Sequence, residues 1–249
     1  ITSSAHIRAM RSCTSGSYEY QLQAEIEHEF ALNGARSAAY PTIVGAGNNG
    51  CILHYIENKD VLNGDDLVLI DAGCEFEGYA ADVTRTFPIS GSFSKSQRAI
   101  YDIVLRAQRA AIRQIFPGNK WNIPHEAAVR TISKGLLDLG ILKGTLSKLI
   151  KSNAYRDFYM HRTGHWLGLD VHDSGDYKVD GRWREFEPGM VLTVEPGIYI
   201  SADNDRVLKR WRGIGIRIED DVVVTKEGCE ILTDLAPKEP DEIEGIMAG

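Results

Sequence analysis

The sequence predicts an α+β fold in a single domain over residues 1–249. Strand-like runs fall before and after a helical middle instead of alternating with single helices, the pattern of segregated elements rather than of βαβ units. No Pro/Ser-rich stretch interrupts the chain as a linker would. With 249 residues, 43% of them hydrophobic and 25% charged, the chain can bury roughly three quarters of its unfolded surface without cross-links.

The first helix is predicted from a Ser17 cap, with Tyr18, Leu22, Ile26 and Phe30 on its apolar face and its end at Asn33-Gly34. Ser94 with Gln97 three residues on forms a capping box for a second helix. Its stripe is Ile100, Ile103, Val104, Ala107 and Ala111, and Pro117-Gly118 stops it. A third is predicted from Pro124 to Gly140. Strands are predicted at Leu67–Ile70, Tyr79–Phe87, Met190–Val194, Gly213–Ile218 and Val222–Thr225. A weak internal echo joins the two ends. A strand after Gly64 ends in Asp71-Ala72-Gly73 and one after Gly189 ends in Glu195-Pro196-Gly197, and each approaches a second acidic strand, with Asp82 or Glu219.

The formal net charge of −7, from 28 Lys+Arg against 35 Asp+Glu, argues against a nucleic-acid partner and against an anionic membrane surface. No run of eighteen apolar residues exists to span a bilayer. Cys13, Cys51, Cys74 and Cys229 form no CxxC pair and read as reduced, buried thiols. Residues 1–20 carry no apolar targeting segment, so the expected location is cytoplasmic. The chain does not begin with Met, which suggests a fragment or processed product.

Two motif-like stretches fail on context. Gly45-Ala46-Gly47-Asn48-Asn49-Gly50 fits GxGxxG, but the β-like Cys51–Ile56 follows where a long helix should present its N-terminus to pyrophosphate. A glycine turn between short strands is expected instead. No GxSxG elbow occurs. His161 and His165 have helical spacing, yet Thr163-Gly164 between them is poor helix material.

The acids are more informative. If Leu67–Phe87 is a hairpin centred on Phe76-Glu77, Asp71 and Asp82 face each other, with Cβ atoms about 5 Å apart. Two facing carboxylates in apolar surroundings need a cation between them or a proton on one, and this pair alone leaves both open. In Gly213–Asp221, alternation puts Arg217, Glu219 and Asp221 on one face and the isoleucines on the other. Glu195 ends the apolar run Met190–Val194. Singly, each acid suits a solvated strand end; four at the ends of apolar strands point to a site. His161, His165 and His172 fall within twelve residues, and His54 follows the glycine turn. Carboxylates with one or two imidazoles make a hard, oxygen-rich set. Such a set suits two divalent ions, Mn²⁺ first and Co²⁺, Zn²⁺ or Fe²⁺ also compatible, in a hydrolytic centre.

With these residues assembled, the chain resembles the pita-bread metallopeptidases, and among them the bacterial Xaa-Pro aminopeptidases. The resemblance runs in order through Ile52-Leu53-His54-Tyr55, LVLIDAGCEFEGYAADVTRTFP from Leu67, HRTGHWLGLDVHD from His161, PGMVLTVEPGIYI from Pro188 and RGIGIRIEDDVVVT from Arg212. It implies pseudo-twofold related halves whose strands enclose a dinuclear metal site, in agreement with the echo. The metal ligands it implies are Asp71, Asp82, His165, Glu195 and Glu219. His54, His161 and His172 would be the substrate-side and proton-handling histidines, and Arg217 and Tyr199 would support the metal shell and the proline pocket. The implied activity is hydrolysis before a proline in the second position of a peptide by a metal-bridged hydroxide, with Glu195 as proton shuttle. An Xaa-Pro dipeptidase and a non-catalytic binding module on the same fold are the alternatives, and a homo-oligomer is compatible with either. Full-length relatives carry a further N-terminal domain, so the sequence is expected to begin near the catalytic one.

Overall fold

The computed structural model describes residues 1–249. Two three-stranded antiparallel sheets form its centre. In the first, Leu67–Asp71 lies between Ile43–Ala46 and Thr84–Pro88; in the second, Asp220–Val224 lies between Val191–Val194 and Cys229–Ile231. The echo in the sequence becomes a structural equivalence here. Asp71 ends a strand whose antiparallel partner begins just after Asp82, and Glu195 follows a strand whose partner begins just after Glu219. The halves are stitched at this seam. Glu219 donates its backbone N–H to the Thr84 carbonyl at 3.1 Å, and the Thr86 hydroxyl donates to the Arg217 carbonyl at 3.0 Å.

Helices cover the outer faces. Helix Lys95–Ile112 starts at the predicted capping box, with Gln97 N–H donating to Ser94 Oγ and Ser94 N–H to Gln97 Oε1. Its predicted stripe is buried, and it packs on helix Asn122–Asp138 and on the strands of the second half. Helices Thr2–Ser12 and Glu19–Leu32 pair with each other, and Pro240–Ala248 closes back on the former. No helix is long and apolar enough to cross a membrane. All four cysteines are free, Cys74 buried and the others partly so.

Several predicted boundaries shift. The helix expected from Ser17 begins at Glu19, because the Ser17 hydroxyl donates back to the Thr14 carbonyl and the Tyr18 N–H is taken by Gln21 Oε1. The helix expected from Pro124 begins at Asn122, which leaves Pro124 in the first turn, where a missing N–H forfeits no helical bond. Cys51–Ile56 is not β. A 3-10 turn over Gly47–Cys51 leads into turn and irregular backbone there, and Gly50 packs so closely against Gly215 that a Cβ on Gly215 would lie 2.2 Å from the Gly50 carbonyl oxygen. The glycines serve backbone contact between the halves.

The predicted strand Tyr79–Phe87 divides into Tyr79–Ala80 and Thr84–Pro88, which belong to different sheets. Asp82 N–H leaves the ladder and donates to Asp221 Oδ2 at 3.1 Å. The tight turn centres on Glu77 and Gly78, both at positive φ (51° and 89°), rather than on Phe76-Glu77. The register therefore moves by two residues, and Asp71 faces Thr84 instead of Asp82. A shift of two preserves the side-chain face, so Asp82 remains on the side of Asp71.

Candidate active site

Every predicted site residue except Tyr199 lines one cleft of about 690 Å³, and Tyr199 lies buried directly behind it. The acids form the floor. Asp71, at the end of its strand, accepts from Arg217 Nη2 at 2.6 Å and from the Tyr40 hydroxyl at 2.7 Å. The Tyr40 hydroxyl also lies 2.6 Å from Asp82 Oδ1, so one phenol spans both aspartates. Glu219 Oε2 accepts from the Thr84 hydroxyl at 2.5 Å, and Thr84 Oγ1 in turn accepts from Arg217 Nε at 3.0 Å. Asp71, Asp82 and Glu219 are all buried, and Glu195 is nearly so.

The histidines arrive on the irregular segment between Phe158 and Asp173, held against the strand Val191–Val194. Glu195 N–H donates to the Thr163 carbonyl at 2.8 Å and Thr193 N–H to the His165 carbonyl at 3.0 Å. Gly164 is required at this crossing, since a Cβ there would stand 2.0 Å from the Thr193 carbonyl oxygen. His165 Nδ1 is tied to the Trp166 carbonyl at 2.9 Å, which directs Nε2 toward Asp82 at 3.3 Å and Glu195 at 3.7 Å. Ligand atoms of Asp82, His165 and Glu219 lie within 4.8 Å of one another. The ring of His172 meets that of His165 edge to face, with centroids 4.4 Å apart. His172 and His54 are exposed at the cleft wall. His161 is engaged at both nitrogens: Nδ1 donates to the Arg162 carbonyl at 2.7 Å, and Nε2 accepts from the Tyr199 hydroxyl at 2.8 Å. Arg217 Nη1 donates to that same hydroxyl at 3.0 Å, linking His161 through Tyr199 and Arg217 to Asp71.

Charge is unbalanced on this floor. Four carboxylates converge, and Arg217 is the one guanidinium buried among them. Burial, reinforced by the neighbouring acids against the pull of His165 and Arg217, pushes the Glu195 carboxyl up to about 8. Burial and the Asp82 charge hold Glu219 well above the usual carboxylate range. Burial also raises Asp71, although Arg217 opposes it. Burial lowers His165, but the hydrogen bond to Asp82 and the Glu195 charge outweigh it and bring the imidazole to about 9. His161 falls to about 3 through burial and the Arg217 charge. Carboxylates that cannot ionise together, beside an imidazole whose Nε2 is directed inward and whose Nδ1 is tied to a carbonyl, fit divalent cations held by oxygen with one nitrogen donor.

A pH dependence follows for the metal-free chain. Glu195 and His165 keep their protons when folded above their unfolded values of 4.5 and 6.5, so their contribution to stability is lost as pH rises toward 8 and 9. His161, and His125 and His6, both near 4, act oppositely, but only below pH 6.5. Thermal melting with chelator should therefore fall between pH 6.5 and 9, and excess divalent metal should remove the decline by displacing those protons. A flat profile with chelator would contradict the crowding described above.

Some of the site's connections cannot be read from spacing. Tyr40 reaches the aspartates from 31 and 42 residues away, and Thr84 joins Glu219 to Arg217 across 135 and 133. Asp221, assigned by alternation to the face of Arg217 and Glu219, accepts the Asp82 backbone N–H at its Oδ2, while its Oδ1 has no partner.

Comparison with known proteins agrees with this geometry. The chain is 55% identical over 247 residues to the Xaa-Pro aminopeptidase of Escherichia coli, covering 99% of this chain and 56% of that protein. It is 40% identical over 252 residues to human Xaa-Pro aminopeptidase 3, covering 48% of it. It therefore spans about half the length of the curated relatives it matches. The solved Pseudomonas aeruginosa aminopeptidase PepP superposes with a TM-score of 0.99 at 58% identity, over 99% of this chain and 56% of that one. Aminopeptidase P from E. coli with the inhibitor Pro-Leu gives a TM-score of 0.96 at 54% identity, over the same shares. The fold is thus the pita-bread fold expected from the resemblance. Because residues 1–226 match the profile of metallopeptidase family M24, the chain belongs to that family.

Proposed function

We propose that residues 1–249 are the catalytic domain of a metal-dependent aminopeptidase. It hydrolyses the bond between an N-terminal residue and a following proline. The observation that carries this is the floor of the cleft, where four converging carboxylates and an inward-directed His165 Nε2 meet only a single buried guanidinium. The relatives named Xaa-Pro aminopeptidase, and the Pro-Leu inhibitor of the E. coli protein, support proline specificity.

Asp71, Asp82, His165, Glu195 and Glu219 would hold two divalent ions, with manganese the metal proposed for this oxygen-rich set. Bound there, the ions supply Lewis acidity and a water acidic enough to be a nucleophile near neutral pH. Glu195 takes the attacking water's proton and delivers it to the prolyl nitrogen as the C–N bond breaks. His54 and His172, free at the cleft wall, donate hydrogen bonds to the carbonyl oxygen as it gains charge. His161, with both nitrogens committed, presents a fixed ring to the proline, and Tyr199 and Arg217 keep it in register with Asp71. Four free thiols support a reducing compartment, and the cytoplasm is the proposed location.

Mass spectrometry of peptides incubated with the purified chain tests the proposal. Ala-Pro-Ala, Ala-Ala-Ala and the dipeptide Ala-Pro are compared with Mn²⁺ and with excess chelator. Chelator-sensitive release of alanine from Ala-Pro-Ala alone is expected. Cleavage restricted to the dipeptide would replace the aminopeptidase with a dipeptidase, and no cleavage by folded, manganese-loaded chain would overturn catalysis by this domain.

A further inference from the structure

The outer half of the cleft carries a different chemistry from its floor. The hairpin Lys178–Val179/Arg182–Trp183 turns at Asp180 and Gly181, both at positive φ (49° and 74°). Its Lys178 and Trp183 line the cleft together with Arg162, and the two cations are exposed where the floor acids are buried, which places them at the mouth. Lys178 Nζ stands 4.3 Å from the Trp183 ring centre and the Arg162 guanidinium carbon 5.2 Å from it. Neither cation pairs with a carboxylate, although the chain holds 35 acids against 28 Lys+Arg, and Asp176 lines the same cleft without reaching either. Packing on an aromatic face fixes a cation while leaving N–H donors free for an anion.

The geometry points to a carboxylate subsite: Arg162 and Lys178, held on Trp183, bind a carboxylate of the peptide downstream of the scissile bond. This rests on the peptidase reading and deepens it. A cationic mouth attracts the far, anionic end of a short peptide whose N-terminal residue reaches the floor. The carboxylate has two sources, the C-terminus of a short peptide or an acidic side chain after the proline.

The test is the KM of Ala-Pro-Ala, of its C-terminal amide and of Ala-Pro-Asp amide, with the manganese-loaded chain. At least one carboxylate-bearing peptide should show a KM about fivefold below that of Ala-Pro-Ala amide, the size of one or two exposed charge contacts. Which one does so identifies the source. The difference should shrink at high salt, vanish in the double variant Arg162→Gln/Lys178→Gln, and reverse in the double variant Arg162→Glu/Lys178→Glu, each variant checked for unchanged melting. Equal KM for all three peptides, or a preference that survives the double variant, overturns the subsite. If no peptide is cleaved, the peptidase reading falls separately. Calorimetric titration of the same peptides then decides the subsite alone, and equal Kd values for acid and amide overturn it.

Discussion

Replacing Asp82 with alanine abolishes tight divalent-metal binding and peptide hydrolysis together, while the chain stays folded. Asp82 is the acid most entangled with the rest of the site. Its Oδ1 shares the Tyr40 hydroxyl with Asp71, its Oδ2 lies 3.3 Å from His165 Nε2, and its charge contributes to the raised carboxyls of Asp71, Glu195, Glu219 and Asp221. Loss of an outer partner costs metal sites about 10–100-fold, so loss of a direct ligand should lower kcat/KM by more than about a hundredfold. The metal-free variant should not be destabilised by repulsion, since one of the crowded charges is gone. Metal should raise the melting temperature of the parent chain and leave that of the variant unchanged. Retained binding of two ions by Asp82→Ala, measured by equilibrium dialysis, would remove Asp82 from the ligand set.

The second large effect lies just beneath the floor. Arg85 and Asp220 are fully buried and paired at 2.6 Å. Asp220 also accepts from Gln108 at 2.7 Å, from Thr233 at 2.8 Å and from Lys238. Burial alone would raise the Asp220 carboxyl, but Arg85 and Lys238 hold it below the usual range. Arg85 further donates to the carbonyls of Thr84, Glu219, Ala236 and Pro237, so one side chain ties the C-terminal segment to the backbone that carries Glu219. Arg85→Met leaves a buried carboxylate short of charge and several carbonyls unsatisfied, which should cost about 3–5 kcal/mol. That corresponds to a fall in melting temperature of about 10 °C for a domain of this size. Arg85→Lys should recover only part, because an ammonium cannot span the same acceptors. A loss below about 1 kcal/mol in denaturant unfolding would show that the cluster is not a structural clamp.

The floor of the site was legible because its signals are local. Asp71 and Glu195 stand where long apolar strands end, and the alternation through Arg217, Glu219 and Asp221 is visible within nine residues. The face of Asp82 was correct although its partner was not, since the hairpin register differs by two and parity is kept. What misled the register was Glu77, a side-chain-bearing residue held at φ 51° beside Gly78, which moves the turn one position along the chain. Helix Thr2–Ser12 gave no strong periodic signal: its buried face consists of Thr2, Ala5, His6, Ala9 and Met10, small or polar residues apart from the last. Tyr40 could not be found from spacing at all. A tyrosine outside every motif becomes part of the centre only when the strand Leu67–Asp71 and the segment around Asp82 are folded beside it.

Metal stoichiometry decides whether these five side chains form a two-ion centre. Metal-free chain is dialysed against Mn²⁺ at pH 7.5, and bound metal per chain is counted by inductively coupled plasma mass spectrometry, with proton release followed in parallel. Two ions per chain, with protons expelled from the Glu195 and His165 region as they bind, is the predicted result. Saturation at one ion or none, in chain shown to be folded, would contradict it.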